Sequence, residues 1–174
     1  MLVLGIDPGY AASGVALLDA QRGKPPRLLL CITVRTATTL HGAERWQEIW
    51  DRWSGVARYD PGDELPAIVA VEDQRQAWLG HARRGTTNAA ALACIEAVGL
   101  ARGLAASLGA RCIVVSPQAA KLAAVGRGGG RASKAQVQRA LRARVPTLIE
   151  GASEHACDAV AIALAGLAAS RVAT

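Results

Sequence analysis

The sequence contains no phenylalanine, and aromatic residues make up only 3% of its 174 residues. A core made from this chain must therefore rest on Ala, Val, Leu and Ile. Lysine is nearly missing as well. Lys24, Lys121 and Lys134 are the only ones, so arginine carries almost all the positive charge. No apolar run approaches the roughly 20 residues that a bilayer-spanning helix needs, which argues against a membrane protein. The first residues carry no basic leader and no small-residue cleavage site, so no signal peptide is expected. The four cysteines, Cys31, Cys94, Cys112 and Cys157, form no C-x-x-C pair. A zinc ribbon or a thioredoxin-type motif is thereby disfavoured. Each sits in an apolar stretch and is expected to be a reduced, buried cysteine of a cytoplasmic protein.

The most informative absence is of acid. Between positions 97 and 149 there is no Asp or Glu, whereas Arg102, Arg111, Lys121, Arg127, Arg131, Lys134, Arg139, Arg142 and Arg144 all fall there. From Met1 to Asp73 the balance is reversed and acids outnumber bases. Solvated helix faces normally mix signs, because opposite charges four apart stabilise them. A long single-sign segment in a chain of net charge +6 points to a polyanionic partner, most simply nucleic acid.

With 51% hydrophobic and 20% charged residues, the chain reads as globular rather than disordered. Its length fits one domain over residues 1–174. Leu2–Asp7, Ser13–Asp19 and Arg27–Thr36 are short apolar runs joined by Gly- and Pro-containing connections, the pattern of an antiparallel meander. Residues 40–59 have helical spacing, with Trp46, Trp50 and Trp53 on one face, expected to be core, with a dimer interface as the rival reading. Pro66–Glu72 reads as a buried strand, residues 86–108 as a long Ala-rich helix, and Arg111–Val115 as a further strand. Ser116-Pro117 and Ser133 are helix N-cap signals, and glycines 126–130 separate the two helices they start. Ala152–Ala169 reads as the last helix. The order β-β-β-α-β-α-β-α-α-α predicts an α/β domain with a five-stranded mixed sheet flanked by helices.

Asp7 and Glu72 each end a near-continuous apolar strand, the mark of a strand buried on both faces. If those strands are parallel neighbours, the two carboxylates lie side by side, where burial is costly unless a partner or a metal offsets it. Glu154-His155-Ala156-Cys157-Asp158 opens the last helix and sets His155 and Asp158 on a shared face. Asp7, Glu72, Asp158 and His155 would then make an oxygen-rich set with one imidazole, suited to Mg²⁺ or Mn²⁺. Two such ions can activate water and stabilise the leaving oxygen in phosphodiester hydrolysis. Beside a basic surface, the set reads as a metal-dependent nuclease.

These residues carry a resemblance. Gly5-Ile-Asp7-Pro-Gly9 with Ser13-Gly14-Val15 is similar to the opening of the RuvC-type Holliday junction resolvases. Val71-Glu72-Asp73-Gln74 is similar to their second acidic strand end. Residues 116–138, from Ser116-Pro-Gln to Lys134-Ala-Gln-Val-Gln138, resemble their basic helix–loop–helix segment. His155-Ala-Cys-Asp158-Ala-Val-Ala-Ile162 resembles their closing catalytic helix. The matches stand in the family's order and span almost the whole chain. The resemblance implies a ribonuclease H-like fold, a homodimer, and paired symmetric nicks in four-way DNA junctions that leave 5′-phosphates. It implies two Mg²⁺ or Mn²⁺ ions per site held by Asp7, Glu72 and Asp158. His155 stands where members carry Asp or His. Lys121 and Lys134 match basic residues beside the scissile strand, Lys134 with a catalytic role. Arg127 and Arg131 are added as DNA contacts, with Arg75 and Trp78 after the second acid. The family often has an aromatic wedge at the position of Arg75, and Trp78 is the candidate replacement. Arg83 and Arg84 extend this patch, and His41 and His81 read as incidental surface residues.

Symmetry agrees with a dimer: a four-way junction has an approximate two-fold axis, and an isologous pair presents two sites related the same way. The setting implied is the cytoplasm of a bacterium, the gene being bacterial or phage-borne, with branch-migration proteins as conceivable partners. Alternative readings are a ribonuclease H-like nuclease for other branched DNA or RNA–DNA hybrids, and a non-catalytic junction-binding protein. An ATPase of the actin/hexokinase-like class shares the opening motif but needs two such lobes.

Overall fold

The two strands without polar alternation do lie inside the sheet. A computed structural model of the chain describes residues 1–59, 62, 64–73, 89–146, 148 and 151–172. Its strands are β1 (Leu2–Asp7), β2 (Ala12–Asp19), β3 (Arg27–Arg35), β4 (Ile68–Glu72) and β5 (Arg111–Val115). They form one sheet in the order β3-β2-β1-β4-β5. The first three make the expected antiparallel meander. β4 then pairs parallel to β1, and β5 parallel to β4, so the sheet is mixed as anticipated. β1 and β4 are buried along nearly their full length, and only their terminal acids reach partial exposure.

The helices are α1 (Gly42–Ala57), α2 (Ala89–Ser107), α3 (Pro117–Val125), α4 (Lys134–Arg144) and α5 (Glu154–Val172), with a 3₁₀ turn at Gly129–Arg131. Side chains on successive residues of a strand point to opposite faces. Leu4, Ile6, Val69 and Val71 accordingly join α1 and α2 in one core. Val3, Ile68 and Ala70 join α3, α4 and α5 in the other. The result is a sheet between two helical layers.

Both serine caps act as the sequence predicts. The Ser116 hydroxyl accepts from the Ala119 N–H, and Ser133 forms a reciprocal capping box with Gln136. The tryptophan stripe is core. Trp53 is fully buried, its indole N–H donating to Ser13 Oγ at 3.0 Å, and Trp46 and Trp50 pack partly buried against the same cluster.

The expectation of uniformly buried cysteines needs correction. Cys157, on α5, is buried, but Cys31 and Cys112 are half-buried. They lie on β3 and β5, the two edge strands, where the helical layers give less cover. Arg75, Trp78, His81, Arg83 and Arg84 fall in residues 74–88, outside the described residues, as does the Cys94 side chain. No helix among the described residues is long and apolar enough to cross a membrane.

Candidate active site

Parallel pairing of β1 with β4 matches Ile6 to Val71. The next residue on each strand is a site carboxylate, Asp7 and Glu72, so both acids end at the same edge of the sheet. α5 crosses this edge from the other side of the chain. His155 Nδ1 lies 2.8 Å from Asp7 Oδ2, and Asp158 follows three residues later on the same helix.

The position of α5 depends on residues that are small where the helix meets the sheet. A Cβ placed on Gly14 would come within 1.8 Å of the His155 carbonyl oxygen, and one on Gly5 within 2.2 Å of the Ala159 carbonyl oxygen. On the helix itself, a Cβ on Gly166 would meet that of Ala70 at 2.5 Å. Backbone therefore rests nearly on backbone, and His155 and Asp158 reach the ends of β1 and β4. The start of the helix is fixed as well. Ser153 Oγ accepts from the Ala156 N–H at 3.2 Å and is hydrogen-bonded to Thr33 Oγ1 on β3.

The electrostatics are those of acids crowded together in poor solvent. Burial pushes the Asp7 carboxyl above the ordinary carboxylate range, and the hydrogen bond and charge of His155 and the charge of Lys134 partly oppose this. Asp158 is also pushed up, first by burial and then by the negative charge of Asp7, with Lys134, His155 and Lys121 pulling the other way. Two carboxylates held within each other's field at a strand edge make a natural cation site.

The basic side of the site comes from α3 and α4. Lys121 and Lys134 line a cleft of about 170 Å³ whose wall also includes Glu72 and Asp158. Lys134 is ion-paired with Glu154, the first residue of α5. Arg144 serves the scaffold instead. Its guanidinium donates to the carbonyls of Ala123 and Ala124 and caps the end of α3. Arg127 and Arg131 stand apart from the cleft, on the turn between α3 and α4.

Oxygen donors from Asp7, Glu72 and Asp158 with an imidazole from His155 match hard divalent cations in chemistry. Glu72 and Asp158 line the cleft, and the Asp7–His155 pair lies at the same sheet edge outside its lining. Among the described residues, no three His, Cys, Asp or Glu side chains are so placed that they could share one ion. Asp7 and Asp158 are two partly buried carboxyls within each other's field, and a cation beside them would relieve their repulsion.

Residues 3–166 match the family model for crossover junction endodeoxyribonuclease RuvC. The chain belongs to the RuvC family. Its members are metal-dependent nucleases, and relatives carrying that name are similar over 93–96% of this chain. The one from Prochlorococcus marinus is 29% identical over 168 residues, covering 96% of this chain and 98% of the relative. The one from Halorhodospira halophila is 34% identical over 169 residues, covering 93% of this chain and 87% of the relative. Among solved structures, Thermus thermophilus RuvC superposes with a TM-score of 0.77 at 27% identity, covering 100% of this chain and 98% of that one. The same RuvC in complex with Holliday junction substrate gives 0.76 at 25% identity, covering 99% of this chain and 96% of that one. The yeast mitochondrial Holliday junction resolvase Ydc2 shares the fold at 10% identity, with a TM-score of 0.61, covering 95% of this chain and 78% of that one. The ribonuclease H-like architecture expected from the resemblance is the one this chain has.

The structure brings together Asp7, Glu72, His155, Asp158, Lys121 and Lys134. Sequence reasoning misses Glu154 as the partner of Lys134, although Glu154 stands in the motif that opens the last helix. The two are 20 positions apart on different helices, beyond any local spacing rule. It also misses Gly14 and Gly5 as the seat of the RuvC helix α5. Their signal is present: glycine inside a strand pattern marks a bulge or a close approach of backbone.

Proposed function

We propose that this chain is a Holliday junction resolvase, a structure-specific endonuclease that makes paired symmetric nicks in four-way DNA junctions and leaves 5′-phosphates. The observation that carries the reading is the Asp7–His155 contact at the sheet edge where Glu72 also ends, beside a cleft lined by Glu72, Asp158 and two lysines, within a RuvC fold. Asp7, Glu72, Asp158 and His155 would hold two Mg²⁺ or Mn²⁺ ions. Such ions, when bound, supply an activated water and neutralise charge on the phosphate.

The protein's own residues do the rest. The contact of His155 Nδ1 with Asp7 orients the imidazole and leaves Nε2 to ligate or to hold a proton from the attacking water. Lys134 and Lys121 place positive charge where the scissile phosphate enters and steady the charge that develops there. Glu154 holds Lys134 at the rim of the cleft until DNA competes for it. Lys121, Lys134, Arg127 and Arg131 contact DNA, as do Arg75 and Trp78 from the segment after β4, with Arg75 or Trp78 set against a base.

The active unit is a homodimer in the bacterial cytoplasm, one site for each of two opposed strands. α2 exposes Leu92 and Ile95, three residues apart and so on one face, and we place the partner copy there. Branch-migration proteins would act on the same junction.

The test is to incubate the protein with a labelled mobile four-way junction, a duplex, a single strand and an RNA–DNA hybrid, in Mg²⁺, Mn²⁺ or EDTA. Symmetric, ligatable nicks confined to the junction and lost in EDTA are expected. Asp7→Asn should cut at least about 100-fold more slowly while it still folds and binds the junction. Cleavage of the hybrid or duplex in preference would make the chain a general ribonuclease H-like nuclease. Tight binding without cutting in either metal would make it a junction-binding protein.

A further inference from the structure

Among the described residues, Arg45 is the one charged side chain that is buried, with 8% of its surface exposed. It sits in the first turn of α1 but makes its contacts outside that helix. Its Nη2 donates to the Ala37 carbonyl at 2.7 Å. Its guanidinium carbon lies 4.4 Å from the centroid of the Tyr10 ring, over the ring face. Trp46, the next residue of α1, meets the same ring edge-on with centroids 5.1 Å apart. Arg45 Nε has no hydrogen-bond partner among the described residues, and Glu48, three positions on, pairs with Arg52 instead. A buried guanidinium without a carboxylate is costly. What holds this one is an aromatic face and a single carbonyl.

Tyr10 belongs to the turn that leaves the site. Asp7 ends β1 and pairs with Gly14 of β2, and residues 8–11 turn the chain between the two strands. The turn is tight: a Cβ on Gly9 would come within 2.0 Å of the Ala12 carbonyl oxygen. It is also tied to the segment after β3, where Thr36 Oγ1 donates to the Tyr10 carbonyl at 3.2 Å and the Thr36 N–H to that of Ala11 at 3.4 Å. The Tyr10 ring is the part of the turn that reaches α1. Arg45 and Trp46 therefore grip a turn that begins immediately after Asp7. The charge of Arg45 is not among those that act on the Asp7 carboxyl, so any influence on that acid passes through the backbone of the turn.

We infer that Arg45 is a positioning residue of the nuclease. By clamping the Tyr10 ring it fixes the turn after β1, and with it the direction in which Asp7 presents its carboxylate to His155 and to a divalent ion. A cation suits this task better than an apolar side chain, because it holds the ring and the Ala37 carbonyl at once. The inference deepens the resolvase reading and rests on it for the reaction, but two of its readouts need no cutting. Arg45→Met keeps the stem and removes the clamp. It should fold, since an apolar side chain in place of a buried charge is often neutral. In EDTA, the amide hydrogens of residues 9–13 should exchange faster than in the parent, read by mass spectrometry. Mn²⁺ should bind about 10-fold more weakly, and single-turnover junction cleavage should slow about 10-fold, with the junction Kd in EDTA unchanged.

Tyr10→Ala should lose as much as Arg45→Met, and Tyr10→Phe should recover most of that loss, because the ring remains. The double variant Arg45→Met, Tyr10→Ala should be no worse than either single one, the mark of two residues acting as a unit. Arg52→Met removes an exposed cation of the same helix and should match the parent. Should Arg45→Met unfold, Tyr10→Ala against Tyr10→Phe, at a partly exposed position, carries the same comparison. Additive losses in the double variant, or a loss without faster exchange of the turn, would mean that Arg45 does not act through Tyr10. Unchanged Mn²⁺ affinity and cleavage in a folded Arg45→Met would mean that it positions nothing; each of these results overturns the inference. A parent that cuts no junction, yet loses Mn²⁺ affinity in both variants, keeps the clamp and removes the resolvase reading. Junction cutting that both variants leave unchanged does the reverse, and a parent that neither binds Mn²⁺ nor cuts overturns both.

Discussion

At the scale of single residues, the site is a problem in electrostatics. Asp158 titrates above the usual carboxylate range because burial and the charge of Asp7 both disfavour its anion. An acid whose pKa is higher folded than unfolded costs stability at pH above the folded value. The cost fades as pH falls through that value and is gone below the unfolded one. In EDTA near neutral pH, Asp158→Asn should therefore melt higher than the parent protein, each kcal/mol being worth about 2–4 °C in a chain of this length. The gap should close on titration to about pH 4, the ordinary carboxylate range. Added Mg²⁺ should close it as well, by stabilising only the parent. A gap of equal size at every pH would mean that the two acids are not in conflict. The acids are legible in the sequence because burial makes a charged strand end conspicuous. The Lys134–Glu154 pair is not, because only tertiary packing brings α4 against the start of α5.

At the scale of elements, the helix that carries His155 and Asp158 is placed by missing atoms. Gly5 and Gly14 let α5 lie on the sheet with less than a methyl group between backbones. Gly14→Ala should force the start of α5 away from β2 and carry His155 off Asp7. Overpacking of this kind costs about 1–3 kcal/mol or more, because the obstruction is backbone that cannot rotate away. The expected result is a lower melting temperature and a larger loss of junction cleavage than of junction binding. Gly55→Ala is the comparison, since a Cβ there meets nothing within 4 Å, and helical alanine is if anything stabilising. Most elements are readable from periodicity and caps. Their ends are less so: α5 starts at Glu154 and β4 at Ile68, each two residues inside the range read from sequence. Ala152 and Pro66 are compatible with the element they precede, and only hydrogen bonding decides where it begins.

At the scale of the whole molecule, charge and symmetry set what the fold can engage. The chain has acids towards its first half and an acid-free basic segment at positions 97–149, and folding sets the lysines of the second against the carboxylates of the first. The proposed homodimer has a direct measurement. Light scattering should give twice 18.0 kDa, and Leu92→Glu with Ile95→Glu should give the monomer. That monomer should nick single strands of a junction without pairing the two cuts; a monomeric parent that still makes paired nicks would refute the arrangement. The sequence makes both the basic segment and the fold visible, but cannot show which of its cations face the cleft, since a helix's two sides are told apart only by what packs beside each.

The contact between His155 and Asp7 joins residues 148 positions apart. During synthesis Asp7 is made well before His155 and Asp158. The basic helices emerge before them. On the proposed reading, a nascent copy has basic helices before it has a whole site, and it should not cut DNA until His155 and Asp158 have been made and folded against Asp7.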